Sequence, residues 1–167
     1  MLRDALVLGF QTAQLTLGAN LAGLTQEESL TQPGTGGNCI NWLVGHVLVS
    51  RAGLQQLLGM SEPPALSESE SKPYQQGSGP LRDASAATDV QTIASKLAST
   101  SSAIVGRLQS MTEEDFGREM DPKMFPVPVE RPTLGALLSI FSFHEAYHSG
   151  QVGLGRRLIG KAPGMPI

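Results

Sequence analysis

Apolar residues recur along this chain with the 3.6-residue period of a buried helix face in four segments. The first runs from Leu2 to about Leu24, with apolar positions at Leu6, Leu8, Phe10, Leu15, Leu17, Leu21 and Leu24. Thr and Gly blur its period. Gln32-Pro33-Gly34-Thr35-Gly36-Gly37 then breaks any regular structure. The second helix is expected from Asn38, whose side-chain oxygen suits an N-cap, to Leu58, with Gly59 as its stop. Cys39, Leu43, His46, Ser50, Leu54 and Leu57 fall along one face of it. The third, about 84–109, has the cleanest period, in Val90, Ile93, Ala94, Leu97, Ile104, Val105 and Leu108. The fourth starts at Thr133, after Pro132, and runs to about Ile159. Leu134, Leu137, Leu138, Ile140 and Phe141 lead into His144 and His148, and Gly160, Pro163 and Gly164 end it.

The connections differ in character. Residues 60–86 are rich in Ser, Pro, Glu and Gly and read as a surface crossing with little order of its own; Glu68-Ser69-Glu70-Ser71-Lys72 within it reads as solvated loop. A linker of that length can traverse a bundle, so helices two and three are free to run parallel. Thr112-Glu113-Glu114-Asp115 has the pattern of a cap followed by one short turn. Residues 117–132 are proline-rich yet apolar at Met124, Phe125, Val127 and Val129, as expected of a segment covering a pocket or a subunit contact. With no repeat and no strand pattern, the chain reads as one all-α domain over 1–167, a four-helix bundle with long connections between helices 2–3 and 3–4.

Composition narrows the function. A chain of 167 residues can build one substantial core. The net charge is −3 and Lys and Arg are scattered, which removes the electrostatic basis for nucleic acid or an anionic membrane as partner. No apolar run approaches the ~20 residues of a membrane span. Cys39 is the single cysteine, so neither an internal disulfide nor a Cys-rich zinc site can form. The N-terminal Met1-Leu2-Arg3-Asp4-Ala5-Leu6 carries an early acid and does not resemble a signal peptide. A reducing, cytoplasmic location is the expectation.

The candidate chemistry lies in the three histidines. His144 and His148, four apart on a helix, stack on one face and can reach one metal ion. Their neighbours Phe141, Phe143, Ala146 and Tyr147 are apolar or aromatic, and imidazoles buried there need partners. His46 shares the inward face of the second helix with Leu43 and Ser50. Three nitrogen ligands leave a fourth position for water or substrate, the arrangement of a catalytic rather than a closed site. Such donors suit zinc or nickel foremost, and also copper or iron. His144-Glu145-Ala146-Tyr147-His148 also matches the H-E-x-x-H pattern of zinc peptidases. Downstream of His148, however, there is no His, Asp, Glu or Cys to complete that site.

Asn41-Trp42-Leu43-Val44-Gly45-His46, with His144-Glu145-Ala146-Tyr147-His148-Ser149-Gly150-Gln151 about a hundred residues later, resembles the DinB-like (YfiT-like) metalloenzymes. The closing Gly155-Arg156-Arg157-Leu158-Ile159-Gly160-Lys161 resembles the way those chains end. The resemblance implies an up-down-down-up four-helix bundle and a divalent metal on His46, His144 and His148. It implies homodimers and small-molecule substrates, with transfer or isomerisation using low-molecular-weight thiols in the better-understood relatives. Relatives often carry Arg or another polar residue where this chain has Ser149.

Around the histidines each residue has two readings. Glu145 is either a general base or half of an ion pair between helices; it lies about 100° around the helix from His144. Gln151, one turn past His148, either bonds a ligand imidazole from behind or packs the helix end, and Gly150 permits close helix packing. Trp42, one turn before His46, either walls a substrate or cofactor pocket or fills the core. Tyr147 is expected to pack or to meet a subunit, and Cys39 to be a small core residue. A metal-dependent thiol transferase or hydrolase, a non-catalytic stress or binding protein whose metal pins two helices, and, last, a zinc peptidase are the functions these readings allow.

Overall fold

The four periodic segments become four long helices in the computed structural model, which describes residues 1–34 and 36–165. Thr35, inside the expected breaker, lies outside the described residues, as do 166 and 167. In chain order the helices are α1 (Leu2–Leu21), α2 (Gln26–Leu30), α3 (Ile40–Leu57), α4 (Glu68–Ser71), α5 (Val90–Ser110), α6 (Glu113–Gly117) and α7 (Leu134–Leu158). Short 3-10 turns occupy Lys72–Tyr74, Ala84–Ala86 and Pro122–Met124. Among the described residues there is no strand, only an isolated bridge between Glu119 and Thr133. None of the described helices is long and apolar enough to cross a membrane.

The long helices pack in a ring: α1 lies against α5 and α7, and α3 against the same two. Two apolar clusters fill the interior. One joins Leu17 and Leu21 of α1 to Val44, Val47 and Leu48 of α3, Val90, Ile93 and Leu97 of α5, and Val152 of α7. The other joins Leu6 and Phe10 of α1 to Leu54 of α3, Ile104 and Leu108 of α5, and Leu134 and Leu138 of α7. The α5 period is matched closely: every expected position but Ala94, which is half-buried, lies inside. The short α6 forms with the Thr112/Asp115 capping box.

Several expectations change. Leu8 and Leu15 are 64% and 63% exposed. Each lies two residues from a buried neighbour, about 200° around the helix, and so points outward. Asn38 is not the N-cap of α3; that boundary is Cys39, with no side-chain cap, because the helix starts only at Ile40. The third helix starts later than 84, at Val90, where the Asp89 carboxylate accepts from the Thr92 N–H at 2.8 Å; Ala84–Ala86 is a separate turn capped by Asp83. Gly150 is not a packing glycine, since a Cβ there would meet nothing. Close approaches occur instead at Gly153, beside Asn20, and at Gly155, beside Ile40.

The largest change is the 60–86 crossing. Leu66, Tyr74 and Leu81 are buried in it, and Glu68–Ser71 is a helical turn closed by a Ser67/Glu70 capping box. Three apolar anchors spaced along a polar stretch are enough to lay it down on α3. Tyr74 is fully buried, and its ring occupies the space a side chain at Gly45 would need. Its hydroxyl donates to Asn41 Oδ1 at 2.9 Å and accepts from the Thr88 N–H at 2.7 Å. Asn41 Nδ2 donates to the Thr88 carbonyl at 2.9 Å, which closes the network. Gly45→Ala would drive a methyl into that ring, and we expect it to cost about 1–3 kcal/mol of stability in urea unfolding. An unchanged midpoint would show that the crossing is not seated on α3.

Candidate metal centre

His46 is set on α3, and His144 and His148 on successive turns of α7, where the two helices pack together. Their ligand-capable nitrogens all lie within 4.8 Å of one another. His144 Nε2 is 3.2 Å from His46 Nε2 and 3.1 Å from His148 Nε2. No other His, Cys, Asp or Glu among the described residues belongs to this cluster.

Partners behind the rings fix two of the tautomers. His46 Nδ1 is 2.8 Å from the Tyr74 carbonyl oxygen, which can only accept, so Nδ1 carries the proton and Nε2 a lone pair. His148 Nδ1 is 2.7 Å from Gln151 Oε1, while the Gln151 amide nitrogen donates to the Tyr147 hydroxyl at 3.3 Å. That orientation again leaves Nε2 of His148 with a lone pair facing inward. A neutral His144 has one proton to share between two inward acceptors. If it is on Nε2, one close nitrogen–nitrogen contact remains unrelieved; if on Nδ1, three lone pairs face each other, and Nδ1 is itself buried without a partner. Protonation is opposed: burial, then the His148 and His46 rings, push His144 down to about 4. Burial also lowers His148.

A cation at the common point resolves this arrangement. Tetrahedral bonds of ~2.05 Å separate neighbouring ligand nitrogens by roughly 3.3 Å, close to two of the three spacings present here, the third lying within 4.8 Å. The three residues therefore fit one divalent ion.

The other candidate residues lie around this cluster. Trp42 is buried and stacks on His46, with ring centroids 4.8 Å apart and planes 11° from parallel. Its Nε1–H donates to Ser78 Oγ at 3.0 Å, so the indole both fills core and braces the His46 ring. Gln151 bonds a histidine from behind rather than merely packing the helix end. Tyr147, 55% exposed, sets its ring edge-on to His148, centroids 5.3 Å apart. Cys39 is buried, and burial raises its thiol.

Glu145 does not join the cluster. Its oxygens accept from Arg51 Nε at 2.8 Å and Arg51 Nη2 at 2.7 Å, and both side chains are almost fully buried. Of its two readings, the structure has the inter-helix ion pair. Arg51 Nη1 goes on to the Leu97 carbonyl and to Thr100 Oγ1, tying α3, α5 and α7 together. Sequence reasoning missed Arg51, although a signal was there: it lies on the apolar stripe Leu43, Val47, Arg51, Leu54, as Glu145 lies on the stripe Phe141, Glu145, His148, Val152. One charge on the buried face of each of two helices implies a pair. Tyr74 was missed because the partner it supplies is a backbone carbonyl.

Removing the Gln151 bond leaves His148 free to rotate or change tautomer. We expect Gln151→Ala to weaken Zn²⁺ or Ni²⁺ binding about 10–100-fold in titration calorimetry; affinity equal to wild type would reduce Gln151 to a packing residue.

The profile of the DinB superfamily matches residues 10–152, a span holding all three histidines. Among solved structures, a conserved protein from Enterococcus faecalis is 22% identical, with a TM-score of 0.68 over 93% of this chain and 95% of that one. At that identity the likeness concerns the fold. No curated protein matches the sequence. With most of its length covered by that profile, including both helices that carry the histidines, this chain belongs to the DinB superfamily.

Proposed function

We propose that this protein is a metal-dependent enzyme that uses a three-histidine centre to transfer a low-molecular-weight thiol to a small electrophilic substrate. The observation carrying this reading is the pair of fixed tautomers, which aim the Nε2 lone pairs of His46 and His148 at the point His144 also faces. A divalent ion there, zinc or nickel foremost, supplies positive charge that stabilises a deprotonated thiol at neutral pH. The chain's own part is orientation. The Tyr74 carbonyl and Gln151 hold two rings from behind, and Trp42 braces His46 by stacking. With no fourth protein ligand among the described residues, one side of the centre is left to a small molecule.

Glu145 separates thiol transfer from its rivals. A zincin-type hydrolase needs that carboxylate free to take a proton from water, and here both oxygens are held by Arg51. Thiol transfer needs no such base once the thiol is ionised. Hydrolysis of a small substrate ranks second, and peptidase activity last for the same reason. A non-catalytic role, with the ion only pinning α3 to α7, remains the rival of a different class.

The division of helix ends between the two clusters supports an up-down-down-up course: the starts of α1 and α7 share a cluster with the ends of α3 and α5. We read the chain as one domain built around that bundle, and place it in the cytoplasm on its single free cysteine.

The deciding experiment is metal analysis of the purified protein, then thiol consumption with a model electrophile. Metal-loaded protein should accelerate it, and the triple variant His46→Ala, His144→Ala, His148→Ala should not. Equal rates for the two proteins would remove the enzymatic reading.

A further inference from the structure

We propose that the substrate of this centre is a neutral electrophile built on a flat aromatic frame, held on the rings of Tyr147 and Phe143; this rests on the thiol-transfer reading above. Of the five Phe, two Tyr and one Trp in the chain, only these two are exposed, Phe143 at 70% and Tyr147 at 55%. The others are buried or half-buried. An aromatic ring left in water forgoes a large burial, so the place where both exposed rings stand is informative. They stand together, with centroids 6.3 Å apart, and Tyr147 is edge-on to His148.

The order of residues round α7 leads from the core to these rings. Counted from the buried Val152 at 100° per residue, His148 lies about 40° away, His144 about 80°, Tyr147 about 140° and Phe143 about 180°. The two rings thus continue the wall of the centre outward from the histidines. Tyr147 is also held in place: its hydroxyl accepts from the Gln151 amide, whose oxygen meets His148 Nδ1. A flat molecule stacked on Tyr147 lies with one edge beside the histidine cluster. Leu154 and Leu158, exposed farther along α7, are aliphatic and lie about 10 and 16 Å from Tyr147 along the axis.

The charge pattern selects a neutral molecule. Arg51 is the single Lys, Arg, Asp or Glu in α3, and Glu145 is the single one in α7 before Arg156. Arg51 and Glu145 pair with each other in the core. The two helices that carry the histidines therefore present no charge to solvent until Arg156, about 12 Å past His148 along the axis. A carboxylate or phosphate on the substrate would give up hydration there and find no counter-charge on either helix. An aromatic ring finds two faces to stack on.

Two measurements test this, and one needs neither metal nor turnover. Benzyl alcohol, an unreactive neutral probe, is titrated by NMR into the full chain as purified and again after chelation. It should bind both with a dissociation constant on the order of 1 mM, as expected for a ligand of that size. Phe143→Glu and Tyr147→Ala should each weaken it about 5-fold or more, Tyr147→Phe should restore it, and Leu158→Glu on the same face should leave it as it was. In the second measurement, metal-loaded protein transfers 2-mercaptoethanol to benzyl chloride, allyl chloride or 4-(chloromethyl)benzoate. The thiol proton goes to solvent, sulfur bonds the carbon, and chloride leaves with the bonding pair. Relative to the uncatalysed rates, kcat/KM should favour benzyl chloride over the other two by about 10-fold, and Phe143→Glu should erase the preference. Absence of benzyl alcohol binding, binding indifferent to Phe143→Glu and Tyr147→Ala, equal loss with Leu158→Glu, or equal acceleration of the three chlorides would each overturn the proposal. So would a change of sedimented mass in Phe143→Glu without a change in probe affinity, which would give the face to a second copy. Probe binding that follows the predicted variants in a protein that turns over none of the chlorides would instead remove thiol transfer and keep the aromatic site.

Discussion

Arg51→Met is expected to destabilise the protein by about 3–5 kcal/mol, because it strands the Glu145 carboxylate in the core. At roughly 2–4 °C per kcal/mol for a domain of this size, the melting temperature should fall by about 6–20 °C. Glu145→Leu should do comparable damage, since the guanidinium then loses its counter-charge and keeps only the Leu97 carbonyl and Thr100. The double variant, Arg51→Met with Glu145→Leu, tells more. Replacing a buried pair by apolar side chains of similar volume is often neutral or stabilising, so it should regain most of the loss. It also separates structure from chemistry. If Glu145 only positions helices, the refolded double variant keeps its metal affinity and its thiol chemistry. Recovery of stability with complete loss of turnover would return Glu145 to the role of base.

Metal should stabilise the chain by a comparable amount. An ion that binds only the folded state at 100 times its dissociation constant adds about 2.7 kcal/mol. For this protein that is roughly 5–11 °C in melting temperature. His46→Ala removes the one candidate ligand on α3, so it should abolish that increment, separately from any lowering of the metal-free melting temperature by loss of the Nδ1 bond to the Tyr74 carbonyl and of the Trp42 stack. Calorimetry with and without a chelator reads both effects. A wild type whose melting temperature ignores zinc and nickel alike would count against the centre itself. A full increment retained by His46→Ala would show that the ion sits on α7 alone.

What could be read from the sequence follows physical lines. The helix-borne part of the centre was legible because a spacing of four on a helix fixes direction, and because His46 lies on an apolar stripe. The ends of the elements were less legible: Cys39, not Asn38, borders α3, because burial of the first turn outweighs a favourable cap. The crossing at 60–86 was misjudged for a different reason. Its average composition is that of a loop, while its structure is decided by three residues, Leu66, Tyr74 and Leu81, and by the absence of a side chain at Gly45. Averages conceal such point anchors. The role of Glu145 could have been decided only by asking what stood opposite it on α3.

The carbonyl that orients His46 belongs to this crossing, and its position depends on the Tyr74 ring staying in its slot and the hydroxyl staying on Asn41. The orientation of His46 is thus tied to the seating of the segment from Leu66 to Leu81, and not to its own side chain alone. Exchange of whatever the histidines hold would follow the slow rhythm of partial unfolding, and conditions that loosen this strap would set the rate of release without touching a single imidazole.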